Sequence, residues 1–292
     1  MKTLEFADAC ICCGRTNLAS SPAVLMPFVA ARALGQEPVE ITADWGLRDL
    51  RPGVAYTLCH SLQCRACGVL FLDIRFTSAQ MAALYQGYRD AQYTQQRDRF
   101  EPGYAATMAR DYTRRHAYIA DVERWLQPQL PAHPRVLDWG GGDGSNTPFL
   151  GRGIVHVHDI SGAPLAAGAE RAGAQAKHSY DLVVCMQVLE HVADPLAVLQ
   201  EIRPALAPDT LLYLEVPHEA LVRRHPHGTD LAPYKRHWHE HVNFFTQASL
   251  RQLAQGAGLR VLDTLFLSIN NGARQAEVMG LLLTKNVSDG GT

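Results

Sequence analysis

The spacing of apolar positions divides the chain into unequal parts. From residue 135 onward, short apolar runs alternate with glycine-rich or polar punctuation: "RVLD" at 135–138, the alternating "IVHVHDI" with Asp159 at its end, "DLVVCM" at 181–186, "LLYLEVP" at 211–217 and "GLLLTK" at 280–285. Such runs, closed by turn residues and separated by longer stretches, read as short buried strands. From Thr77 the period lengthens: Met108, Tyr112, Ile119, Val122 and Leu126 recur at near-helical spacing, after the aromatic set Tyr85, Tyr88 and Tyr93. "QPQLPAHP", with prolines at 128, 131 and 134, stops any helix and marks the start of the large domain. Residues 14–58 carry Pro22, Pro27, Pro38 and Pro52 and little periodicity, which predicts a loop-rich insertion.

The cysteines explain what holds that insertion. "CICCG" and "CRACG" pair Cys10 with Cys13 and Cys64 with Cys67, each pair followed by a glycine. Two C-x-x-C turns supply the four thiolates that structural Zn²⁺ prefers, and four sulfurs leave it no open position for chemistry. Cys12 and Cys59 are alternative ligands, and buried free thiols or a redox pair are the other readings; Cys185, inside "DLVVCM", is a core residue. The expected organisation is a zinc-binding module at 1–82, a helical aromatic linker at 83–134, the large domain at 135–285 and a tail at 286–292.

Charge narrows the partners. With 27 Lys and Arg against 29 Asp and Glu in 292 residues, and seven of each sign in residues 1–80, the chain lacks the basic footprint of a nucleic-acid binder. A small-molecule substrate is expected, with no nucleic acid. The beginning "MKTLEFADACICCG" has no apolar run of signal-peptide length and no window spans a bilayer, so a cytoplasmic location is expected.

"RVLDWGGGDGSN" reads as a strand, a glycine-rich turn and a helix beginning near Ser145. Counted from Gly140, a dinucleotide fingerprint needs glycine at 145, where this chain has Ser145, and the Lys-Ser/Thr ending of a phosphate-binding loop is missing. The pattern of two apolar residues, Asp138, then Gly140, Gly142 and Gly144 resembles motif I of the class I S-adenosylmethionine-dependent methyltransferases. Asp159, at the end of the next strand, suits the ribose hydroxyls of that cofactor. "SYDLVVCMQVLEHVADPLAVLQEI" and the following strand are similar to the same family, and Gln187 is a further cofactor neighbour. The resemblance covers residues 135–285 and implies an α/β fold with a Rossmann-like, doubly wound methyltransferase sheet. The strand that would hold the adenine is poorly marked, around "GAQAKHSYD".

The remaining dense chemistry is "KRHWHEHVNFF" at 235–245. It follows the fifth strand of the domain and so overhangs the sheet's carboxyl edge, where the cofactor's methyl group must point. Methyl transfer from a sulfonium needs alignment of the acceptor and removal of one proton, which a histidine beside a carboxylate can accept. The spacing His237-x-His239-x-His241 is also open to a metal or a solvated-loop reading. The two cysteine knuckles together with "WHEHVNFF" resemble the zinc-containing sugar C-methyltransferases, which act on keto sugars attached to thymidine diphosphate. That resemblance implies His241 as catalytic base and Glu240 as its catalytic partner, with Trp238 where the family has tyrosine. It further implies Tyr85 or Tyr88, His239 and Asn271 (in "NNGARQ") on the substrate side. The expected function is methyl transfer from S-adenosylmethionine to a sugar, sugar-nucleotide or glycan, at carbon, oxygen or nitrogen. The alternatives are an rRNA or other small-molecule methyltransferase, or a scaffold subunit without catalysis.

Overall fold

The computed structural model describes residues 4–46, 51–111, 115–173, 180–226, 228–270 and 275–286. In chain order the principal strands are β1 (Leu18–Leu25), β2 (Leu58–Cys64), β3 (Leu70–Leu72), β4 (Arg135–Trp139), β5 (Ile154–His158), β6 (Ala169–Arg171), β7 (Leu182–Met186), β8 (Leu211–Pro217), β9 (His237–Trp238), β10 (Asn243–Phe244), β11 (Leu259–Asn270) and β12 (Gln275–Lys285). The helices that bear on the site are α1 (Ser78–Tyr85), α2 (Ala91–Phe100), α3 (Tyr104–Asp111), α4 (Ile119–Leu126), α5 (Pro195–Ile202) and α6 (Gln247–Gly256).

Seven strands form the large sheet in the order β6-β5-β4-β7-β8-β12-β11. The first five are mutually parallel, while β12 runs antiparallel to both β8 and β11. The apolar runs behave as their pattern demands: Leu182, Val183, Val184 and Cys185 are all fully buried, as are Leu212, Tyr213 and Leu214. The order reverses beside β4, so the loops after β4 and β7 open the crevice in which such sheets bind ligands.

Three local expectations are corrected. No helix follows the glycine loop among the described residues; residues 144–152 form successive turns, in which Thr147 is held by Asp138 and Phe149 takes a left-handed φ of 65°. The third strand is Ala169–Arg171, just before the stretch in which it was sought, and residues 174–179 of that stretch lie outside the described residues. The insertion at 14–58 is not mainly loop: seven of the eight residues of β1 pair with β2, from Leu18↔Cys64 to Val24↔Leu58.

The module also does not end at residue 82. Its sheet has the order β9-β1-β2-β3-β10, so its two edges are completed by strands from the histidine segment. His237 and Trp238 pair with Val24 and Leu25 on one side, and Asn243 and Phe244 pair with Phe71 and Leu70 on the other. Edge strands with unpaired amides are unstable in isolation, and the late segment satisfies both. One core runs from Cys10, Cys64, Cys67 and Phe71 of the module to Leu137, Val183, Leu214 and Met279 of the large sheet. Module and domain are therefore a single packed body.

Candidate functional site

The glycine loop departs from β4 with residues that only glycine tolerates. Gly140 has φ 81°, and a Cβ there meets Val188 Cγ2 at 2.5 Å; one on Gly141 meets Asp138 Oδ2 at 2.2 Å. The turn thus leaves backbone rather than side chain facing the crevice. Asp138 is buried and accepts a 2.5 Å hydrogen bond from the Thr147 hydroxyl; burial pushes its carboxyl up to about 7. Asp159 ties the loop to the end of β5, accepting from the Gly142 amide and the Ser161 amide at 2.8 Å each. Each carboxylate oxygen keeps a lone pair that a ribose hydroxyl can use. Gln187, at the end of β7, holds a left-handed φ of 57°, the kind of outlier that collects at ligand sites. Its side-chain amide donates to Glu215 at 2.9 Å, and Glu215 also accepts from Tyr118 and Tyr213 at 2.8 and 2.7 Å.

The four predicted zinc ligands converge. Cys10 and Cys67 sulfurs stand 3.5 Å apart, Cys13 and Cys64 3.6 Å, and all four lie within 4.8 Å of one another. A tetrahedron with Zn–S of about 2.3 Å has an S···S edge of about 3.8 Å, so this donor set fits the metal. Gly14 and Gly68 take the left-handed φ that closes each knuckle. Thr246, the N-cap of α6, donates from its hydroxyl to the Cys67 carbonyl at 2.8 Å and so ties the second knuckle to the large domain.

Between β9 and β10 the segment 239–242 arches over the β7 turn. Val242 and Asn243 amides donate to the Glu190 carbonyl at 2.7 and 3.1 Å, and the Asn243 side chain donates to the Leu189 and Val192 carbonyls. His241 Nδ1 is 2.7 Å from Glu219 Oε1, in the turn after β8. Burial opposes the imidazolium, but the Glu219 hydrogen bond and the negative charges of Glu219 and Glu240 outweigh it and hold His241 above its ordinary range. His191 packs edge-on to His241 with centroids 4.7 Å apart, and its Nδ1 meets the Glu240 carbonyl at 3.0 Å. Burial, with His241 second, depresses His191 to about 3, so it is neutral. His191 Nε2 faces Glu190 Oε1 at 3.6 Å, and the side-chain hydrogen bond of His241 is made through Nδ1.

Glu190 completes this group. It is 1% exposed, neither carboxylate oxygen has a hydrogen-bond partner, and burial pushes it up to about 8. Glu190, His191 and His241 bring donor atoms within 4.8 Å of one another.

The carboxylate expected to partner His241 is elsewhere. Glu240 turns to α2, where Arg97 Nη1 donates to both its oxygens at 2.9 Å, and Arg97 also bridges to Glu101 at 3.1 Å. His239 joins that cluster through Glu101 at 2.5 Å, so the three histidines of 237–241 do not converge on a point. Trp238 is fully buried, its indole N–H donating to Ser61 at 2.8 Å, away from the crevice. Tyr85 lies edge-on to His191 at 5.8 Å with its buried hydroxyl unpartnered, and Tyr88 stacks edge-on to Tyr85 and Tyr93. Asn271 lies outside the described residues. Glu219, Arg97, Glu215 and Tyr118 carry no motif, and only the fold brings them here.

A sheet whose first five strands are parallel, with a glycine turn after β4 and an acid after β5, is the frame of a methyltransferase. The chain belongs to the methyltransferase-domain family, whose model matches residues 108–264. It is 29% identical over 161 residues to a ubiquinone biosynthesis O-methyltransferase of Aeromonas salmonicida, covering 44% of this chain and 64% of that one. A protein of the same description from Neisseria meningitidis is 32% identical over 100 residues, 30% of this chain and 38% of the relative. The chain thus spans less than two thirds of either. Among solved structures, the 1,6-didemethyltoxoflavin-N1-methyltransferase of Burkholderia thailandensis aligns with a TM-score of 0.45 at 18% identity, over 65% of this chain and 87% of that one. No helix among the described residues is long and apolar enough to cross a membrane.

Proposed function

We propose that the chain transfers the methyl group of S-adenosylmethionine to a sugar-linked small molecule, with Zn²⁺ held by Cys10, Cys13, Cys64 and Cys67 as a structural ion. When bound, the cofactor supplies a sulfonium-activated methyl group. The loop from Gly140 to Gly144 receives its amino-acid end and ribose, and Asp159 accepts from the ribose hydroxyls. His241 takes through Nε2 the proton the acceptor sheds, while Tyr85 and Tyr88 cover the crevice and exclude water.

The observation that carries this reading is the interlocking of module and histidine segment. The cysteine knuckles lie beside a sheet whose two edges are β9 and β10, and His241 stands between those strands, which supports a reading in which the body that would hold the metal also carries the base. A phenolic acceptor methylated at oxygen is the second reading, favoured by the descriptions of the curated relatives.

The test offers radiolabelled S-adenosylmethionine with a thymidine-diphosphate-linked keto sugar and, separately, with a catechol. We expect label in the sugar, and His241→Ala to keep cofactor affinity while turnover falls by roughly 10²-fold or more. Label in the catechol alone overturns the sugar reading.

A further inference from the structure

We propose that Glu219, and not the adjacent Glu240, is the carboxylate that positions His241 for proton transfer. This inference rests on the proposed role of His241 as base. Glu219 follows β8 and stands where the chain leaves the large sheet, so its placement is fixed by that sheet; His241 is fixed by the module's sheet through β9 and β10. The 2.7 Å contact between Glu219 Oε1 and His241 Nδ1 therefore joins the two halves of the body at the site. A carboxylate on Nδ1 fixes the tautomer that leaves Nε2 as acceptor and stabilises the imidazolium once the proton arrives, the same division of labour as in a Ser-His-Asp triad.

Glu240 cannot serve both ends. Its two oxygens are held at 2.9 Å by Arg97, which is itself 7% exposed and bound to Glu101, with Tyr93 donating to Glu240 from the far side at 3.4 Å. That cluster latches the arch to α2. Among the described residues the Glu219 carboxylate is hydrogen-bonded to His241 alone.

The groups that face His241 are Glu219 from the turn after β8, Glu190 and His191 from the turn after β7, and Glu240 on its own segment. Lys235 faces Glu219 in turn, its ammonium lying over the Trp238 and Phe244 rings at 4.8 and 4.4 Å. Of these, only Glu219 makes a side-chain hydrogen bond to the imidazole.

The deciding measurement is the NMR titration of the His241 ring in the zinc-loaded full chain labelled at histidine, its signal assigned with His241→Asn. Glu219→Gln should lower the midpoint by about one pH unit, the scale of losing one hydrogen-bonded opposite charge. Glu240→Gln should move it much less, because Arg97 already neutralises that carboxylate. With an accepted substrate, the acid limb of the pH–rate profile should shift down with the titration in Glu219→Gln. Turnover should fall about tenfold or more at an unchanged KM for the cofactor, and Glu219→Asp should restore part of it. An unmoved midpoint in Glu219→Gln, or an equal shift in Glu240→Gln, overturns the assignment. Because the titration needs no acceptor, failure to find the substrate leaves this result standing, and a correct titration beside an inactive His241 would indict the function instead.

Discussion

Glu190 offers the sharpest stability test in the molecule. It is 1% exposed, both oxygens lack a hydrogen-bond partner, and burial pushes its carboxyl from 4.5 to about 8. An acid whose folded pKa lies above its unfolded one is held in its proton-bound form by the fold. Below about pH 4.5 both states carry the proton and there is no penalty. Between there and about pH 8 the unfolded chain releases the proton and the folded one does not, so stability falls as pH rises, and above that it is level again. At about 1.36 kcal/mol per pH unit, three units between pH 5 and 8 amount to about 4 kcal/mol, and water reaching the carboxyl reduces this to roughly 2–4. Glu190→Gln keeps the shape and removes the titration. Its buried amide costs about 1–3 kcal/mol at every pH, so the informative quantity is the change in its effect between pH 5 and pH 8. Urea denaturation followed by circular dichroism should show the variant slightly weaker than the parent at pH 5 and gaining on it by about 2–4 kcal/mol by pH 8. A difference that stays flat across that window, or that grows against the variant, refutes the argument that an unpartnered buried acid sits here.

Removal of zinc by a chelator should unfold the module and with it the arch, since Cys10, Cys64 and Cys67 belong to the core shared with the large sheet. Metal analysis should give one zinc per chain, and a zinc-free chain with an unchanged melting temperature counts against the site. Gly140→Ala should weaken S-adenosylmethionine binding by tenfold or more in calorimetry, because a Cβ there meets Val188 at 2.5 Å and φ 81° is strained for alanine. Roughly 1–2 kcal/mol is the expected backbone cost, and retained affinity in this variant means the cofactor does not approach that turn.

The recurrence of apolar runs marked the buried strands, because a strand covered on both faces has no freedom to be polar, and the motif resemblance named the sheet they form. "LVVC" and "LLYL" could go nowhere but the middle of a sheet. Each knuckle was legible as a turn, since a C-x-x-C is set by its own four residues, but bringing Cys10 to Cys67 and Cys13 to Cys64 across more than fifty residues is the work of the β1–β2 pairing. The glycine turn was readable because a tight approach excludes a Cβ, and Asp159, at the end of the next strand, meets that turn through the Gly142 amide. The helix placed after Ser145 failed because Asp138 and Thr147 bind each other and hold the chain in turns.

What sequence alone could not decide is which carboxylate serves which base. Glu240 neighbours His241 in the chain, yet the chain bends at Glu240 and Arg97, from a helix more than a hundred residues earlier, captures its carboxylate. Glu219 lies 22 residues from His241 and meets it because one sits on the large sheet and the other on the small one. The extent of the module was hidden in the same way. Residues 237–244 carry no cysteine and no resemblance to a zinc sheet, and they join it because both its edges needed partners. Patterns set by one strand or one turn are written locally; pairings that depend on where two separate sheets meet are decided only when the chain has folded.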